Sequence, residues 1–307
     1  MTVLYLPARA KLNLVLRVVG RRPDGYHLLE TLFHTIELCD ELWLEAQGGG
    51  DIELALTGGG AGIPGDGDNL VVRALRALAA ASGTGIGFRA RLAKRIPAGG
   101  GLGGGSSDAA AALRLGNALL AEREPARALS SAGLHELARG LGADVPFLLE
   151  GGSRWGHGIG DELHPAAVPP MQFVLLVPPY PCPTAEVYKF HAAHWNDGGA
   201  QGTCVRQRSP AASDGILRIE FSNDLTMAAE AVRPELAELR QRAGALAGVP
   251  AHVTGSGSTL FLAFPAAADA AVAAALQALA PLRQEGVGLV RTRSAGGLDP
   301  PRAIGAG

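Results

Sequence analysis

Alternating apolar and polar positions predict strands in the first third of the chain. The alternating segments, rich in Leu, Val or Ile, are residues 12–19, 26–33, 42–45, 52–56 and 86–92. The first two are separated by residues 20–25, whose Gly, Pro and Asp favour a turn, so we expect them to pair. Three glycines at 48–50 separate the third from the fourth, which predicts a β-hairpin over residues 42–56.

Helical periodicity follows this region and returns near the end of the chain. The predicted helices are residues 69–81, 108–121, 134–141, 224–247 and 266–279. The predicted strands of the second half are residues 173–177, 251–254, 260–264 and 288–292. Each half therefore combines runs of strands with runs of helices, which favours an α+β fold over a doubly wound parallel sheet.

A change of pattern near residue 168 divides the chain in two. We predict an amino-terminal domain over residues 1–168 and a carboxy-terminal domain over residues 169–299. Residues 191–215 are rich in Gly, Ser, Ala and Pro and lack periodicity, which predicts a mobile surface insertion. We expect the tail at 300–307 to be disordered.

The composition narrows the class of partner. The chain has 307 residues, of which 47% are hydrophobic, and this is enough for a core in each of two domains. Its 27 basic and 29 acidic residues give a net charge of -2, which does not favour binding to nucleic acid or to an anionic membrane. We expect a small-molecule partner instead.

The cysteines and the apolar runs exclude further classes. Cys39, Cys182 and Cys204 are far apart and no histidines have metal-ligand spacing, so we expect reduced thiols and assign no metal-ligating side chain. No apolar run approaches the roughly 18 residues that a membrane span needs. These features predict a cytoplasmic protein.

The most informative segment is residues 97–107, with six glycines in the seven positions 99–105. Glycine adds no side-chain packing and loses the most entropy on ordering, so the run indicates a functional requirement. A glycine turn that opens a helix directs backbone N–H groups outward at the positive end of the helix dipole, which suits phosphate. Ser106 and Ser107 fit the N-cap of that helix. A flexible linker is the alternative, but Ile96-Pro97 and a long helical pattern frame the segment.

Two common phosphate-loop motifs do not explain this segment. No lysine follows the glycines, which excludes a P-loop. Gly99, Gly101 and Gly104 satisfy G-x-G-x-x-G, but a dinucleotide fold also needs a second strand that ends in an acid about 20 residues later. Glu122 and Glu124 are near that distance, yet their surroundings are typical of a helix end.

Two charged residues elsewhere would complete a phosphoryl-transfer site. Lys11 lies among strand-forming apolar residues, and Asp144 lies in a turn before Pro146, which disfavours helix at the preceding residue. Taken alone, Lys11 is typical of a surface lysine and Asp144 of a turn or helix-capping aspartate.

Several segments together resemble one family. The run P-x-G-G-G-L-G-G-G-S-S-D-A resembles the ATP-binding motif of the galactokinase, homoserine kinase, mevalonate kinase and phosphomevalonate kinase (GHMP) superfamily. Across residues 3–298 the chain is similar to the 4-diphosphocytidyl-2-C-methyl-D-erythritol kinases of that superfamily. The segments that carry the similarity are residues 7–13, 20–27, 29–33, 97–109, 141–146, 221–224 and 254–257. The Asp-Gly-Tyr-His sequence at 24–27 distinguishes this family from its relatives.

The resemblance implies a two-domain GHMP kinase fold. Its amino-terminal domain is ribosomal-protein-S5-domain-2-like, and its carboxy-terminal domain is a ferredoxin-like α/β-sandwich. The implied reaction is phosphorylation by ATP, with Mg²⁺, of the 2-hydroxyl of 4-diphosphocytidyl-2-C-methyl-D-erythritol in the non-mevalonate pathway of isoprenoid synthesis.

The resemblance also implies a role for each site residue. Lys11 and Asp144 match the catalytic pair, in which Asp144 accepts the hydroxyl proton and the ammonium of Lys11 favours the ionised carboxylate. The residues implied for ATP are Pro97, Ala98, Gly99, Gly100, Gly101, Leu102, Gly103, Gly104, Gly105, Ser106 and Ser107. The residues implied for the substrate are Asn13 near the hydroxyl, and Tyr26, His27 and Tyr188 at the cytosine.

Three further points come from the same resemblance. Residues 254–258 are similar to the superfamily's second glycine turn, which closes over the glycine run. Asn69 and Leu70 are placed near adenine. Arg9 is at a position where the family usually has proline, so the resemblance does not fix the residue at which the first strand begins.

Two other functions remain open at this stage. One is a different GHMP kinase, of the homoserine or mevalonate type, which shares the glycine run but has no need of Tyr26, His27 or Tyr188. The other is a catalytically idle module that binds nucleotide or nucleic acid, against which the near-neutral charge argues. We expect ATP and a small-molecule substrate as partners, neither nucleic acid nor membrane, and a monomer or weak homodimer.

Overall fold

Two β-sheets organise the residues that the computed structural model describes, which are 2–59, 67–194 and 219–304. The strands are β1 (Val3–Arg21), β2 (His27–Gln47), β3 (Ile52–Gly58), β4 (Gly87–Lys94), β5 (Ser153–His157), β6 (Glu162–Pro165), β7 (Met171–Val177), β8 (Ser222–Asn223), β9 (His252–Val253), β10 (Leu260–Pro265), β11 (Gly288–Arg293) and β12 (Arg302–Ile304). The helices are α1 (Leu70–Ser82), α2 (Gly104–Arg123), α3 (Ser131–Leu141), α4 (Val145–Glu150), α5 (Thr184–His194), α6 (Thr226–Val232), α7 (Pro234–Ala247) and α8 (Asp269–Leu279). Short 3₁₀ segments span Pro125–Arg127 and Ala280–Glu285.

The first sheet contains eight described strands and is built on the long antiparallel pair β1 and β2. Its main order is β12-β1-β2-β4-β3, with β5 and β6 beside β2 and the short β8 parallel to β1. The predicted pairing of the first two alternating segments is therefore confirmed. Helices α1 to α4 supply apolar side chains to the core of this sheet. Asn69 caps α1, since its side-chain oxygen accepts a hydrogen bond from the Val71 N–H at 2.9 Å.

The second sheet has the order β11-β7-β10-β9 and is antiparallel throughout its described strands. Its strands and helices α5 to α8 contribute to a second core. Side chains of both sheets meet in a third apolar cluster, which includes Leu12, Phe173 and Phe261. The two halves of the chain are therefore packed against each other beside the glycine run, whose Leu102 belongs to the same cluster. Within the described ranges, no helix is long and apolar enough to cross a bilayer.

The prediction of a hairpin over residues 42–56 is wrong. Strand β4 lies between β2 and β3, and β3 pairs with β4 in parallel through the crossover helix α1. Burial explains the order. Inward residues of β4 such as Phe88 and Leu92 are fully buried, whereas β3 has exposed residues along its whole length, which suits an edge strand.

Three further boundaries differ from the predictions. The helix expected over residues 224–247 is two helices, because the backbone is not helical at Arg233 and Pro234 is the first residue of the second helix. Residues 191–194 of the expected insertion form the last turn of α5, and residues 195–215 lie outside the described ranges. The tail predicted to be disordered contributes β12, which pairs with residues 3–5 and covers an otherwise open edge of β1. Residues 305–307 lie outside the described ranges.

Candidate active site

The glycine run forms a tight loop that leads into α2. Gly99, Gly101 and Gly103 have φ angles of 70°, 76° and 70°, in the left-handed region that side chains disfavour. Gly103 is the N-cap of α2, so the helix begins before Ser106 and Ser107. The expected capping role of these serines is therefore wrong. The hydroxyl of Ser107 instead donates to the carbonyl oxygen of Arg9 at 2.7 Å.

The second glycine turn packs directly on this loop. A Cβ atom at Gly101 would overlap the carbonyl oxygen of Thr254, and a Cβ at Gly100 would overlap the hydroxyl of Thr259. The backbone N–H of Thr259 also donates to the carbonyl oxygen of Gly100 at 3.3 Å. The glycines at 100 and 101 are thus required by close packing, while the backbone N–H groups of the first turn of α2 remain the donors that a phosphate needs.

Lys11 and Asp144 meet beside the loop. The Nζ atom of Lys11 lies 3.3 Å from Oδ2 of Asp144 and donates to Oδ1 of Asn13 at 2.6 Å. Lys11 is buried, whereas the Asp144 side chain is 30% exposed and therefore open to a ligand. Asp144 occupies the N-cap position of α4, but its side chain makes no capping hydrogen bond. The carboxylate is accordingly available for chemistry, which a capping aspartate would not be.

Asn13 holds this pair in register with both glycine turns. Its Nδ2 donates to the hydroxyl of Thr31 at 2.8 Å, and its backbone N–H donates to the hydroxyl of Thr254 at 3.0 Å. The backbone N–H of Lys11 donates to the carbonyl oxygen of Leu102 at 3.0 Å. Strand β1 therefore positions Lys11 relative to both turns.

Tyr188 and His27 form an aromatic group at another part of the site. Their ring centroids are 5.0 Å apart, and the His27 Nε2 atom is buried without a hydrogen-bond partner. Burial, assisted by the charges of His191 and Arg21, lowers the pKa of His27, so the neutral imidazole is favoured. Burial and then the charge of Asp144 raise the pKa of Tyr188. Tyr26 is 63% exposed, so its ring is available to a ligand.

One cavity of about 1120 Å³ brings most of the predicted residues together. Its lining includes Lys11, Asn13, Tyr26, His27, Gly99, Gly101, Gly103, Gly104, Gly105, Ser106, Asp144, Tyr188, Gly255 and Ser256. A smaller adjoining cavity of about 250 Å³ is lined by Pro97, Ala98, Gly100 and Leu102 together with Asn69, Leu70, Lys94 and Asp108. Ser107 lines neither of these two cavities.

A buried ionic cluster that was not predicted from the sequence lies beneath the loop. The Nζ atom of Lys94 is hydrogen-bonded to the carboxylates of Asp40 and Asp108, with 2.6 Å to Asp108 Oδ2. Burial raises the pKa of Asp108 against the opposing charge of Lys94. A signal was available, because Lys94 continues the inward alternation of Phe88, Ala90 and Leu92 along β4. Among the described residues, no group of three or more His, Cys, Asp or Glu side chains is arranged to hold a metal ion.

Known proteins resemble this chain along most of its length. Residues 69–152 match the family described as GHMP kinases N terminal domain, and residues 206–281 match GHMP kinases C terminal. A 4-diphosphocytidyl-2-C-methyl-D-erythritol kinase of Ralstonia nicotianae is 41% identical over 268 residues, which is 86% of each chain. One of Bordetella bronchiseptica is 39% identical over 283 residues, covering 89% of this chain and 86% of the other.

Solved structures agree with these sequence matches. A crystal structure of 4-(cytidine 5'-diphospho)-2C-methyl-D-erythritol kinase has a TM-score of 0.72 and 36% identity, covering 95% of this chain and 100% of the other. A homoserine kinase of Cytophaga hutchinsonii, with a TM-score of 0.62 and 18% identity, shares the fold. The expected two-domain GHMP kinase fold is thereby confirmed, and the chain belongs to the family of 4-diphosphocytidyl-2-C-methyl-D-erythritol kinases.

Proposed function

We propose that this protein transfers the γ-phosphoryl group of ATP to the 2-hydroxyl of 4-diphosphocytidyl-2-C-methyl-D-erythritol, in the cytoplasm, on the non-mevalonate pathway to isoprenoids. The observation that carries the proposal is the single cavity shared by the glycine loop, the Lys11–Asp144 pair and the aromatic group of Tyr26, His27 and Tyr188. A kinase for a nucleotide-linked alcohol needs all three in one cavity, because the γ-phosphate of ATP must reach the acceptor hydroxyl while the nucleotide part of the acceptor is held.

The ATP end of the site is the loop and the start of α2. Glycines at 103–105 let a phosphate approach the backbone N–H groups of the first turn without meeting a Cβ atom. Asn69 and Leu70 lie across the smaller cavity, where an adenine ring would fit between the loop and α1. The loop therefore suits ATP as the phosphoryl donor.

The reacting end is the Lys11–Asp144 pair. In the transfer, the Asp144 carboxylate takes the proton of the 2-hydroxyl as that oxygen forms its bond to the γ-phosphorus. The bond from the γ-phosphorus to the bridging oxygen breaks, and ADP leaves. The ammonium of Lys11, fixed by Asn13 at 2.6 Å, favours the ionised carboxylate and opposes charge that develops on the phosphoryl oxygens.

Mg²⁺ enters this proposal with ATP. Among the described residues, no group of three or more His, Cys, Asp or Glu side chains could hold a metal ion, and Mg²⁺ in kinases retains several waters and binds phosphate oxygens. When bound, the ion would neutralise phosphate charge. We assign no step to it, because Asp144 is already paired with Lys11 and Asp108 with Lys94.

The cytosine end separates this proposal from other GHMP kinases. Tyr26 and Tyr188 offer aromatic faces to a base, and the unpartnered Nε2 of His27 offers a hydrogen bond to its polar edge. Homoserine and mevalonate have no nucleobase that could contact these residues.

The experiment is a comparison of ADP release with four acceptors: the cytidine-linked substrate, homoserine, mevalonate and water alone. We expect turnover only with the cytidine-linked substrate. Equal turnover with homoserine or mevalonate would assign the protein to another GHMP kinase activity. ATP binding with no turnover on any acceptor would leave an idle nucleotide-binding module.

A further inference from the structure

Two cations in the large cavity have no acidic partner among the described residues. The cavity is lined by two carboxylates, and each of them is paired: Asp144 with Lys11 at 3.3 Å, and Asp24 with Arg22 at 2.7 Å. Arg21 and Lys189 also line the cavity, and neither forms an ion pair with a described residue. The described lining thus has three cations against two carboxylates, and neither carboxylate is paired with Arg21 or Lys189.

Each of these cations is adjacent to the aromatic group. Arg21 is the last residue of β1, and its Nε donates to the carbonyl oxygen of Gly25 at 3.2 Å, which directs the guanidinium along the turn that bears Tyr26. Arg21 and His27 are directly opposite each other in the register of β1 and β2, so the two residues are cross-strand neighbours.

Lys189 lines the cavity from helix α5. It follows Tyr188 in α5, and the cavity-lining residues 188, 189, 192 and 193 form one face of that helix, at the spacing of one helical turn. Val187, on another face, is fully buried in the second core. The helix thus anchors itself through Val187 and presents Lys189 to the cavity.

We propose that Arg21 and Lys189 bind the diphosphate of the acceptor substrate and select for it. This inference rests on the function proposed above. A diphosphate esterified at both ends has one ionised oxygen on each phosphorus. Its two negative charges therefore equal in number the two lining cations that have no acidic partner among the described residues. The fork of Arg21 suits two phosphate oxygens at once, and the ammonium of Lys189 acts as a point charge. Both side chains are exposed before binding, so they can contact the substrate without breaking packing contacts elsewhere in the protein.

The test compares cytidine with CDP as ligands, by ligand-observed NMR and calorimetry, with the ATP site saturated by a non-hydrolysable ATP analogue. Arg21→Gln and Lys189→Gln should each weaken CDP binding by about 3- to 10-fold, because an exposed charge contact with phosphate is worth more than a typical surface ion pair. Cytidine binding and the KM for ATP should stay unchanged in both variants. Raising the salt concentration should weaken CDP binding to the parent more than to the double variant.

Arg17→Gln is the matched control, since Arg17 lies on the same strand and is paired with Glu30 at 3.3 Å, outside the cavity lining. It removes the same charge and should leave CDP binding as in the parent. Unchanged CDP binding in the Arg21 and Lys189 variants would overturn the diphosphate assignment, and so would equal loss of cytidine and CDP binding. Failure of the parent to bind cytidine or CDP at all would overturn the proposed function itself.

Discussion

The side chain of Lys11 passes directly over the backbone of Gly103. A Cβ atom at position 103 would lie 3.0 Å from Cγ and 3.2 Å from Cε of Lys11, closer than ordinary contact. Gly103 also has a φ of 70°, which only glycine adopts without strain. Glycine is therefore required at position 103 both by the close approach of Lys11 and by the backbone conformation of the loop.

Gly103→Ala should lower turnover by about tenfold or more, because the added methyl displaces Lys11 from Asp144. It should also lower the free energy of unfolding by about 1–2 kcal/mol through backbone strain. Gly49→Ala is the control, since Gly49 has a φ of 88° but no atom within 4 Å of the added methyl. It should lose similar stability and keep its turnover. Equal losses of turnover in the two purified, folded variants would remove the role of the Gly103–Lys11 contact.

Asp144→Asn tests the proton acceptor. It should reduce kcat by roughly 10² to 10⁴, the usual contribution of a general base, with the affinity for ATP almost unchanged. Glu30→Gln is the matched control: Glu30 is 32% exposed against 30% for Asp144, and each carboxylate is 3.3 Å from a cation. Steady-state kinetics measures kcat, and calorimetric titration measures the affinity for ATP. Parental turnover in the folded Asp144 variant would mean that another group takes the proton.

Tyr26→Ala tests the base contact. Stacking of a base on an aromatic side chain is worth about 1–3 kcal/mol, so the KM for the cytidine-linked substrate should rise by roughly 5- to 150-fold. The KM for ATP should hardly change. Met227→Ala, which truncates an 80% exposed apolar side chain outside the cavity, should change neither constant. A cytidine-substrate KM that stays at the parental value would exclude Tyr26 from the base site.

His34 predicts a pH dependence of stability that is independent of catalysis. Burial lowers its pKa from 6.5 to about 4, and its ring nitrogens are hydrogen-bonded to Ser153 at 2.8 Å and Ser294 at 2.7 Å. Below about pH 6.5 the unfolded chain binds the proton and the folded chain does not, so stability falls as the pH is lowered towards 4. The full loss from this residue is about 3 kcal/mol.

Denaturant unfolding of the parent and of His34→Gln between pH 7 and pH 4 measures the contribution of His34 to the pH dependence of stability. The glutamine retains a donor and an acceptor for the two serines and does not titrate. We expect the difference in stability between the two proteins to shrink as the pH falls. A difference that is constant over this range would show that His34 does not contribute to the pH dependence.

The amino-acid sequence by itself determined the local features of this protein. Side-chain alternation and helical periodicity depend on neighbours a few positions away, so the strands at β1, β7, β10 and β11 and the helix at α1 could be predicted. The glycine run could be assigned to phosphate for the same reason, since its conformational freedom and the helix after it are local properties. The burial of Lys94 could also have been predicted, because Lys94 is at an inward position in the two-residue alternation of β4.

Only the tertiary structure decided which distant segments meet. The alternation along a strand does not specify which strand it pairs with. The position of β4 between β2 and β3 follows from the burial of its own inward residues, such as Phe88 and Leu92, and not from the glycines at 48–50. The same limit applies to the site. Lys11 and Asp144 become a pair, and Arg21 and Lys189 line one cavity without an acidic partner among the described residues, because apolar packing fixes the elements that carry them. Strand β1 contributes side chains to all three apolar clusters, α4 to the first and α5 to the second.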